Sequence, residues 1–478
     1  MDLLVLGPAL PGPALLKASL LEWVNKLFGL EPHWRAEPEL DTLRRIIRQQ
    51  TTLPITGEAV TIEPFAQGAF NKLYTIRPAR GHDDDSHGRS DKAPTTTLLF
   101  RASLPVCPRY KTESEAATIR FVQERTSVPV PRIYAFDSNL RPDVGFEWII
   151  MERMPGKPLR QQWRSMSIDA KAGLVRAVAQ FQAELLRPVN RFTSVGNILE
   201  ADRDIIAMTH SPPQEVGSPT KATQPVNDKG TFRIGPMVSP VFFWGPHKRP
   251  DKLSGPFESS HDWLLARLNV VLSDQERIIK ETQKDEDRQL AVRSLACAQK
   301  LCRLLPKFFS PSTREETVLW HHDLSDNNIL VDDSGALAAI VDWECVSAVP
   351  MWRARDLPKF LRGRKRLLPV QADDYGSDSE SDMESSDDEP RLDNQGKTEL
   401  YWIHLLEYEQ TLLRDIYLET MERLAPLSED QRAKHAELLD CESAVTLCDH
   451  ELATSLVTEW ADDNARGEVW NLREALRR

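Results

Sequence analysis

The chain has 478 residues and a formal net charge of −12 at pH 7. This length predicts two lobes or domains with a hydrophobic core large enough to fold without disulfide or metal support. The acidic balance argues against general nucleic-acid binding, because phosphate recognition needs a concentrated basic surface. No apolar run reaches the length of a membrane span, so we expect no stable membrane insertion. The six cysteines form no Cys-x-x-Cys pair, which indicates free thiols in a reducing compartment.

The first residues are apolar but contain several prolines and no preceding basic residues, which is atypical of a secretory signal. Arginine is absent before Arg35, so a mitochondrial presequence is also poorly matched, and we expect a cytoplasmic protein with mitochondrial targeting as the weaker alternative. A helical apolar spacing follows. Its members are Leu16, Leu20, Trp23, Val24, Leu27 and Phe28. The spacing predicts a helix within an N-terminal helical extension over residues 1–54.

Strand-like runs dominate the next hundred residues. Residues 65–76 predict two strands joined by a tight turn, and residues 97–102 and 146–151 predict further strands. Between them, residues 112–128 have the composition of a helix that stops before a proline. This region is therefore expected to combine several strands with one helix.

The segment 320–344 contains three residues with oxygen-bearing side chains, Asp323, Asn328 and Asp342, placed around a predicted hairpin. An apolar run, an Asp-Asp-Ser-Gly turn and a second apolar run predict a β-hairpin. Asn328 and Asp342 are equidistant from Gly335, so a simple antiparallel register places them opposite each other, with Asp323 in the loop just before. The three side chains are expected to converge at the open end of the hairpin.

Magnesium prefers a few oxygen ligands together with substrate phosphates, and one carboxylate with one amide oxygen meets that need. Asn328 and Asp342 are therefore the candidate metal ligands. Asp323 precedes Asn328 by five residues, the interval at which a kinase catalytic loop carries the group that accepts the acceptor's hydroxyl proton. In a simpler interpretation, residues 332–334 only make a turn while Asp323 and Asn328 cap a loop. That interpretation explains the turn, but not why the motif before the hairpin and the motif after it occur together at this spacing.

The pattern His-x-Asp-x-x-x-x-Asn at residues 321–328, followed by Ile-Val-Asp-Trp-Glu at 340–344, resembles the aminoglycoside phosphotransferase and choline kinase branch of the protein-kinase-like fold. Aromatic and glycine-proline elements between residues 232 and 257 resemble a fungal subset of that family, which includes the altered-inheritance-of-mitochondria proteins. The resemblance implies a two-lobed α+β fold, with a small antiparallel-sheet N-lobe over 55–154 and a larger, mainly helical C-lobe over 155–478.

The resemblance also implies ATP and Mg²⁺ as cofactors. The hairpin around Gly68 would lie over the nucleotide phosphates, and Arg101 stands where the family usually has a phosphate-gripping lysine. Arginine keeps the charge but not the shape of lysine, so this departure affects ATP geometry. Glu115 resembles the helix glutamate that pairs with that cation. Alternatively, Glu115 and Thr112 form a capping box at the start of the helix.

Alignment on the apolar strand implies that the backbone of Glu152 and Met154 forms the hinge that binds adenine. Helical spacing predicts helices over residues 168–186 and 261–309. A further helical region begins at Leu400 and is expected to contribute to the acceptor pocket.

Polar tracts at residues 80–94 and 211–230 are typical of loops. An acidic Ser/Asp/Glu tract at 373–389 predicts a disordered insertion at about 370–396; it is typical of a solvated segment and also resembles a phosphorylation substrate region. The basic run 362–366 is consistent with a solvated loop or with a nuclear signal.

The expected activity is ATP- and magnesium-dependent transfer of a γ-phosphoryl group to a hydroxyl group of a small molecule. The alternative is a catalytically silent, nucleotide-binding or scaffolding protein that has kept the fold. A protein kinase is a weaker third alternative, because no Ala-Pro-Glu element follows Asp342. The sequence leaves the acceptor and the oligomeric state open.

Overall fold

The structure is a computed structural model. It describes residues 19–26, 29–55, 60–78, 97–201, 231–244, 255–311, 313–371, 375 and 397–476. The polar tracts 80–94 and 211–230 lie outside the described residues, and so does the acidic tract 373–389 apart from Tyr375.

The N-terminal region begins with a β-hairpin, in which β1 (Leu21–Lys26) pairs antiparallel with β2 (Gly29–Trp34). The prediction of a helix through this segment is therefore wrong. Trp23 packs edge-on against Trp244 with ring centroids 6.4 Å apart, and Pro32 in the second strand is incompatible with a continuing helix. The same apolar spacing is satisfied here by strand pairing and contacts with aromatic residues.

A five-stranded antiparallel sheet follows, in the spatial order β3-β4-β5-β7-β6. Its strands are β3 (Val60–Gln67), β4 (Asn71–Pro78), β5 (Leu98–Ser103), β6 (Ile133–Asp137) and β7 (Glu147–Glu152). Helix α1 (Leu40–Arg48) contributes Leu43, Ile46 and Ile47 to the core that it shares with the sheet. Helix α2 (Tyr110–Arg125) contacts β6 and β7. The sheet and its helices form the expected small lobe.

The larger lobe is mainly helical. Its helices are α3 (Leu159–Gln162), α4 (Ile168–Leu185), α5 (Pro240–Phe243), α6 (Ser260–Glu281), α7 (Asp285–Phe308), α8 (Glu399–Leu424), α9 (Glu429–Leu447), α10 (Thr454–Arg466) and α11 (Leu472–Ala475). The stretch predicted as helical over 261–309 is two helices, α6 and α7, which pack against each other. Among the described residues, no helix combines the length and apolarity that a membrane crossing requires.

Short strand pairs connect these helices. They are β8 (Lys157–Pro158), β9 (Asn197–Glu200), β10 (Phe232–Gly235), β11 (Thr317–Trp320), β12 (Ile329–Val331), β13 (Leu337–Ile340) and β14 (Ser347–Pro350). β12 pairs with both β13 and β8, so the hairpin is joined to the start of the large lobe. The two-lobed α+β arrangement expected from the sequence is confirmed.

The large-lobe core extends from α2 to α11 and includes the fully buried Trp343 and Trp460. All six cysteines are free thiols, and five of them are buried. In the basic run 362–366, Arg362 pairs with Asp356 at 2.9 Å and Arg366 with Glu407 at 3.2 Å, so part of this run is held against the lobe.

Glu147 is a fully buried carboxyl group on β7, and it generates a testable pH dependence. It accepts hydrogen bonds from the Arg109 N–H at 2.6 Å and from the Thr112 hydroxyl. Burial raises the pKa of Glu147 to about 7, although these two donors oppose the shift. The folded chain therefore keeps the proton up to about pH 7, whereas an unfolded chain releases it near the ordinary glutamate value.

We expect the free energy of unfolding to fall as pH rises from about 5 to about 8, by up to about 3 kcal/mol from this group. Glu147→Gln should flatten that slope, because glutamine carries no proton to lose. Urea unfolding at the two pH values measures the difference, with the exposed Glu276→Gln as the control. Equal slopes for the Glu147 variant and the parent would contradict the assignment.

Candidate active site

The hairpin of β12 and β13 is present, but its register differs from the expected one. Ile329 pairs with Ile340, and the Val341 N–H donates to the Asn328 carbonyl at 3.0 Å, so Asn328 lies opposite Val341 and not opposite Asp342. The expected register is wrong by one residue. The turn is closed by Asp332 and Ala336, which places its centre before Gly335, and an irregularity between Leu330 and Val331 shifts the ladder again.

Asp342 reaches the site because the backbone turns there. It adopts a left-handed conformation with φ 63°, which an aspartate tolerates better than most residues. The next side chain, Trp343, is fully buried, donates to the Ile340 carbonyl at 2.9 Å and packs edge-on against Phe181. With Trp343 anchored in the large-lobe core, the carboxylates of Asp342 and Glu344 both approach the small lobe.

Arg101 on β5 connects these carboxylates to α2. Its guanidinium donates to the Glu115 carboxylate and lies 3.3 Å from Glu344 Oε2 and 4.0 Å from Asp342 Oδ1. The interpretation of Glu115 as the partner of Arg101 is confirmed. The alternative capping box is wrong, because α2 begins before Thr112, whose hydroxyl donates to a different carboxylate.

Lys111 completes this cluster and was missed by the sequence analysis. Its Nζ lies 2.6 Å from Glu344 Oε2 and donates to Asn71 Oδ1 at 3.0 Å, and the side chain is 1% exposed. The Asn71 amide in turn donates to Glu344 at 2.8 Å. Glu344 therefore accepts from three elements of the small lobe. A lysine just ahead of an apolar helix face carries no local signal of this burial.

The two hairpin carboxylates differ in their acidity. Burial acts to raise the pKa of Glu344, but Lys111 and Arg101 outweigh it and lower that pKa to about 2. Burial and the charge of Glu344 raise the pKa of Asp342 to about 7, with Arg101 opposing the shift. The Asp342 side chain still keeps 40% of its surface exposed. Glu344 is thus a fixed anion within the cluster, and Asp342 is the carboxylate that faces open space.

Asp323 has a defined hydrogen-bonding environment in the loop before β12. The Asn328 amide donates to the Asp323 carbonyl at 2.8 Å and to its Oδ2 at 3.1 Å. Lys359 Nζ lies 2.6 Å from Asp323 Oδ1. Lys359 is a second residue that sequence reasoning missed, since it follows the catalytic-loop motif by more than thirty positions. Both carboxylate oxygens of Asp323 are therefore oriented by side chains.

His321 connects the loop to the residues that follow β13. Its Nε2–H donates to the Val341 carbonyl at 3.3 Å, and its ring packs edge-on against Trp343 with centroids 4.9 Å apart. Burial, with the neighbouring His322, lowers the pKa of His321 to about 4. The imidazole is therefore neutral at physiological pH, and its contacts are structural.

The expected nucleotide contacts differ in how well the structure supports them. The Gly68 N–H donates to the Asn71 carbonyl at 2.9 Å and closes the β3-β4 turn, but a Cβ atom at Gly68 would meet open space. Glycine is therefore not required there by crowding. The Glu152 N–H is already donated to the Arg132 carbonyl at 2.8 Å. Within the part of the chain that the structure describes, the Met154 backbone makes no hydrogen bond, so both of its polar groups remain for a ligand.

The side chains of Asn328 and Asp342 offer oxygen atoms of the kind that magnesium prefers. Asn328 turns its amide nitrogen toward Asp323, which leaves Oδ1 without a donor among the described residues, and Asp342 supplies a partly open carboxylate. No cluster of three or more His, Cys, Asp or Glu side chains suited to a metal occurs in the described ranges. The protein would thus supply two oxygen ligands, and phosphates and water would supply the others.

A cavity of about 640 Å³ opens beside the catalytic loop; we call it the loop cavity. It is lined by Ser325, Asp326 and Lys359 on one side and by the start of α8 on the other, including Trp402 and Ile403. Its volume is within the range of small-molecule sites. The expectation that the region after Leu400 helps to form a pocket is consistent with this placement.

Comparisons with known proteins agree with the motif. The model of the phosphotransferase enzyme family matches residues 96–392. A subtelomeric hrmA-associated cluster protein of Aspergillus fumigatus is 23% identical over 325 residues, which cover 63% of this chain and 60% of that protein. The mitochondrial altered inheritance of mitochondria protein 9 of Meyerozyma guilliermondii is 23% identical over 300 residues, covering 59% of this chain and 45% of that protein. The family resemblance expected from the sequence is confirmed.

Among solved structures, the GDP complex of aminoglycoside 2'-phosphotransferase-IIIa is similar with a TM-score of 0.40 and 13% sequence identity, covering 90% of this chain and 100% of that chain. The chain spans 60% of the length of the Aspergillus relative and 45% of the Meyerozyma relative.

Glu344 and its partners Arg101, Lys111 and Asn71 form what we call the Glu344 cluster. Its pairing predicts a large loss of stability when Lys111 is replaced. Lys111→Met should lower the free energy of unfolding by about 3 kcal/mol, because it leaves a largely buried carboxylate with less positive charge beside it. Lys72→Met is the matched control: Lys72 is also buried, but its partner Glu37 is largely exposed and regains water when the lysine is lost. We expect a loss of about 1 kcal/mol or less there. Urea unfolding of both variants measures the difference, and equal losses would contradict the cluster's importance.

Proposed function

The chain belongs to the phosphotransferase enzyme family, and on that premise we propose that it transfers the γ-phosphoryl group of ATP to a hydroxyl group of a small molecule with the help of Mg²⁺. The observations that support this proposal are the contact between the Asn328 amide and Asp323 Oδ2 at 3.1 Å, the hydrogen bond from the Val341 N–H, just before Asp342, to the Asn328 carbonyl at 3.0 Å, and Arg101 at 4.0 Å from Asp342. Phosphoryl transfer requires mainly that the reacting groups are positioned and that the phosphate charge is neutralised, and such a set of side chains can do both.

Asp323 is the proposed proton acceptor. The amide of Asn328 and the ammonium of Lys359 hold its two oxygens in fixed positions, at 3.1 Å and 2.6 Å. The carboxylate therefore need not reorganise when an acceptor hydroxyl approaches it. A fixed carboxylate that orients the hydroxyl and takes its proton contributes through geometry.

Asn328 and Asp342 are the proposed ligands of Mg²⁺, which when bound neutralises the developing charge on the phosphate oxygens. Arg101 keeps one guanidinium nitrogen near Asp342 while its other nitrogen is engaged by Glu115 and Glu344. The glutamates fix the orientation of Arg101, so its remaining N–H groups can be directed at nucleotide phosphates.

The base of the nucleotide is proposed to lie at the end of β7. The Met154 backbone has an N–H and a carbonyl without partners among the described residues, and both are suited to an adenine edge. Glu152 would contribute its carbonyl, since its N–H is already donated. The β3-β4 turn at Gly68 would cover the phosphates.

A catalytically silent nucleotide-binding protein is the second candidate, favoured by one observation. Both oxygens of Asp323 already have donors, and the Arg101 guanidinium is shared among carboxylates. If these pairs persist with nucleotide bound, the protein binds without transferring. Nucleotide binding and transfer therefore need separate measurements.

For binding, we expect ATP to raise the melting temperature of the parent protein more with Mg²⁺ than without it, because a ligand that binds only the folded state stabilises it. Asp342→Ala should lose the magnesium-dependent part of the shift. Asp333→Ala, in the exposed turn of the same hairpin, is the control and should keep it. A parent protein with no magnesium-dependent shift would count against the proposed function.

For transfer, the parent protein incubated with γ-labelled ATP and a fractionated metabolite extract should produce a labelled small molecule. Asp323→Asn removes the proton acceptor while keeping the shape of the side chain, and we expect a loss of about 10²- to 10⁴-fold in turnover. Labelling by both proteins at the same rate would contradict the role of Asp323. Nucleotide binding without any labelled product would support the silent alternative.

Lys359→Met tests the residue that the motif did not reveal. The side chain is 57% exposed, so the substitution should not affect folding, but it frees one oxygen of Asp323. We expect turnover to fall about tenfold with little change in the KM for ATP, and Lys359→Arg to restore part of it. An unchanged turnover would mean that this is an ordinary surface ion pair.

A further inference from the structure

The loop cavity has a largely apolar lining on the side of α8. Ile403 and Leu406 are 45% and 38% exposed, and Trp163 and Trp402 also line the cavity. Large apolar side chains clustered at the mouth of a concave site are typical of ligand-binding surfaces. These side chains would be removed from water by a ligand that carries apolar surface of its own.

Two of the three carboxylates that line the cavity, Glu409 and Glu399, already have cationic partners in the protein. Glu409 accepts from the buried Lys171 at 2.7 Å and from the Trp163 indole N–H at 2.8 Å. Glu399 lies 3.2 Å from Arg164. Freeing Glu409 for a ligand cation would strand the buried lysine, so this carboxylate is not an open cation site.

The aromatic rings are engaged in the same way. Lys171 Nζ lies over the Trp163 ring at 4.9 Å, and the Arg164 guanidinium lies over the Trp402 ring at 4.7 Å. A ligand ammonium that approached these rings would meet a protein cation already there. In total, four cationic side chains and three carboxylates line the cavity, so its charge does not attract a polycation.

We propose that the loop cavity binds the acceptor, and that this acceptor is an uncharged, largely apolar alcohol with an aromatic or fused-ring body, not a polycationic aminosugar or a quaternary amine. This inference rests on the proposed function for the transfer step, but the cavity's binding preference stands apart from it. The apolar body packs on Ile403 and Leu406, and its hydroxyl reaches past Lys359 towards Asp323, because Lys359 both lines the cavity and contacts that carboxylate.

Ligand-observed saturation-transfer NMR on the full chain, without nucleotide, tests the preference. The probes are 2-naphthalenemethanol for the proposed class, kanamycin for polycations and choline for quaternary amines. We expect saturable binding of the naphthyl alcohol, with neither cation displacing it. Displacement by kanamycin or choline, or no binding of the naphthyl alcohol, would overturn the proposal.

Ile403→Asp localises the site and reverses its preference. A carboxylate at the cavity mouth should weaken binding of the naphthyl alcohol by about tenfold or more and strengthen binding of kanamycin. Leu412→Asp is the matched control: Leu412 has a similar exposure of 40%, lies about two and a half turns further along the same helix and so on the opposite face, and does not line the cavity. Equal weakening by both substitutions, or by neither, would refute the location.

Failure of this inference is distinguishable from failure of the proposed function. Magnesium-dependent ATP binding that Asp342→Ala abolishes, with no naphthyl alcohol bound, would leave the phosphotransferase proposal intact and overturn the acceptor class. Naphthyl alcohol bound in the cavity without any ATP binding would support the cavity's binding preference and contradict the proposed phosphoryl transfer.

Discussion

The largely buried Glu344 carboxylate, with 16% of its side chain exposed, is the constraint on which the site depends. An ion removed from water is tolerated only when paired and hydrogen-bonded, and Glu344 obtains its partners from β4, β5 and α2 through Asn71, Arg101 and Lys111. Each of those elements belongs to the small lobe, whereas Glu344 follows a hairpin of the large lobe. The pairing of this charge therefore connects the hairpin of the large lobe to three elements of the small lobe.

Trp343 determines which of the two neighbouring carboxylates, Asp342 or Glu344, lies within the ion-pair cluster. Because its ring is locked in the large-lobe core and the flanking backbone turns through left-handed conformations at Asp342 and Cys345, the two carboxylates cannot exchange places. Their environments then separate their protonation behaviour: the pKa of Glu344 is lowered to about 2 and that of Asp342 is raised to about 7. One carboxylate remains an anion that holds cations, and the other gains most from a metal ion, since nearby positive charge favours its ionised form.

Local sequence patterns were sufficient to predict much of the fold and of the candidate site. Strand, turn and strand around residues 329–340 could be predicted because two apolar runs and the turn residues between them lie within a dozen positions. The register could not, since a single irregularity moved the partner of Asn328 by one position. The N-terminal hairpin was mistaken for a helix because a short apolar spacing fits both periods. Lys111 and Lys359 were missed for another reason: their roles depend on carboxylates far away in the chain, and exposure cannot be read from the residue itself.

The same limitation explains why the acceptor is harder to infer than the reaction. The chemical residues lie on one hairpin, but the loop cavity is assembled from segments near 160–171, 325–326, 359–360 and 399–410. Its composition alone, rich in both acids and bases, would suit a charged ligand. Pairing across these segments, such as Lys171 with Glu409, engages several of these charges, and aromatic and aliphatic side chains of α8 form much of the remaining surface. Specificity in such a site is therefore determined by which charges remain unsatisfied after folding, and only the three-dimensional arrangement reveals them.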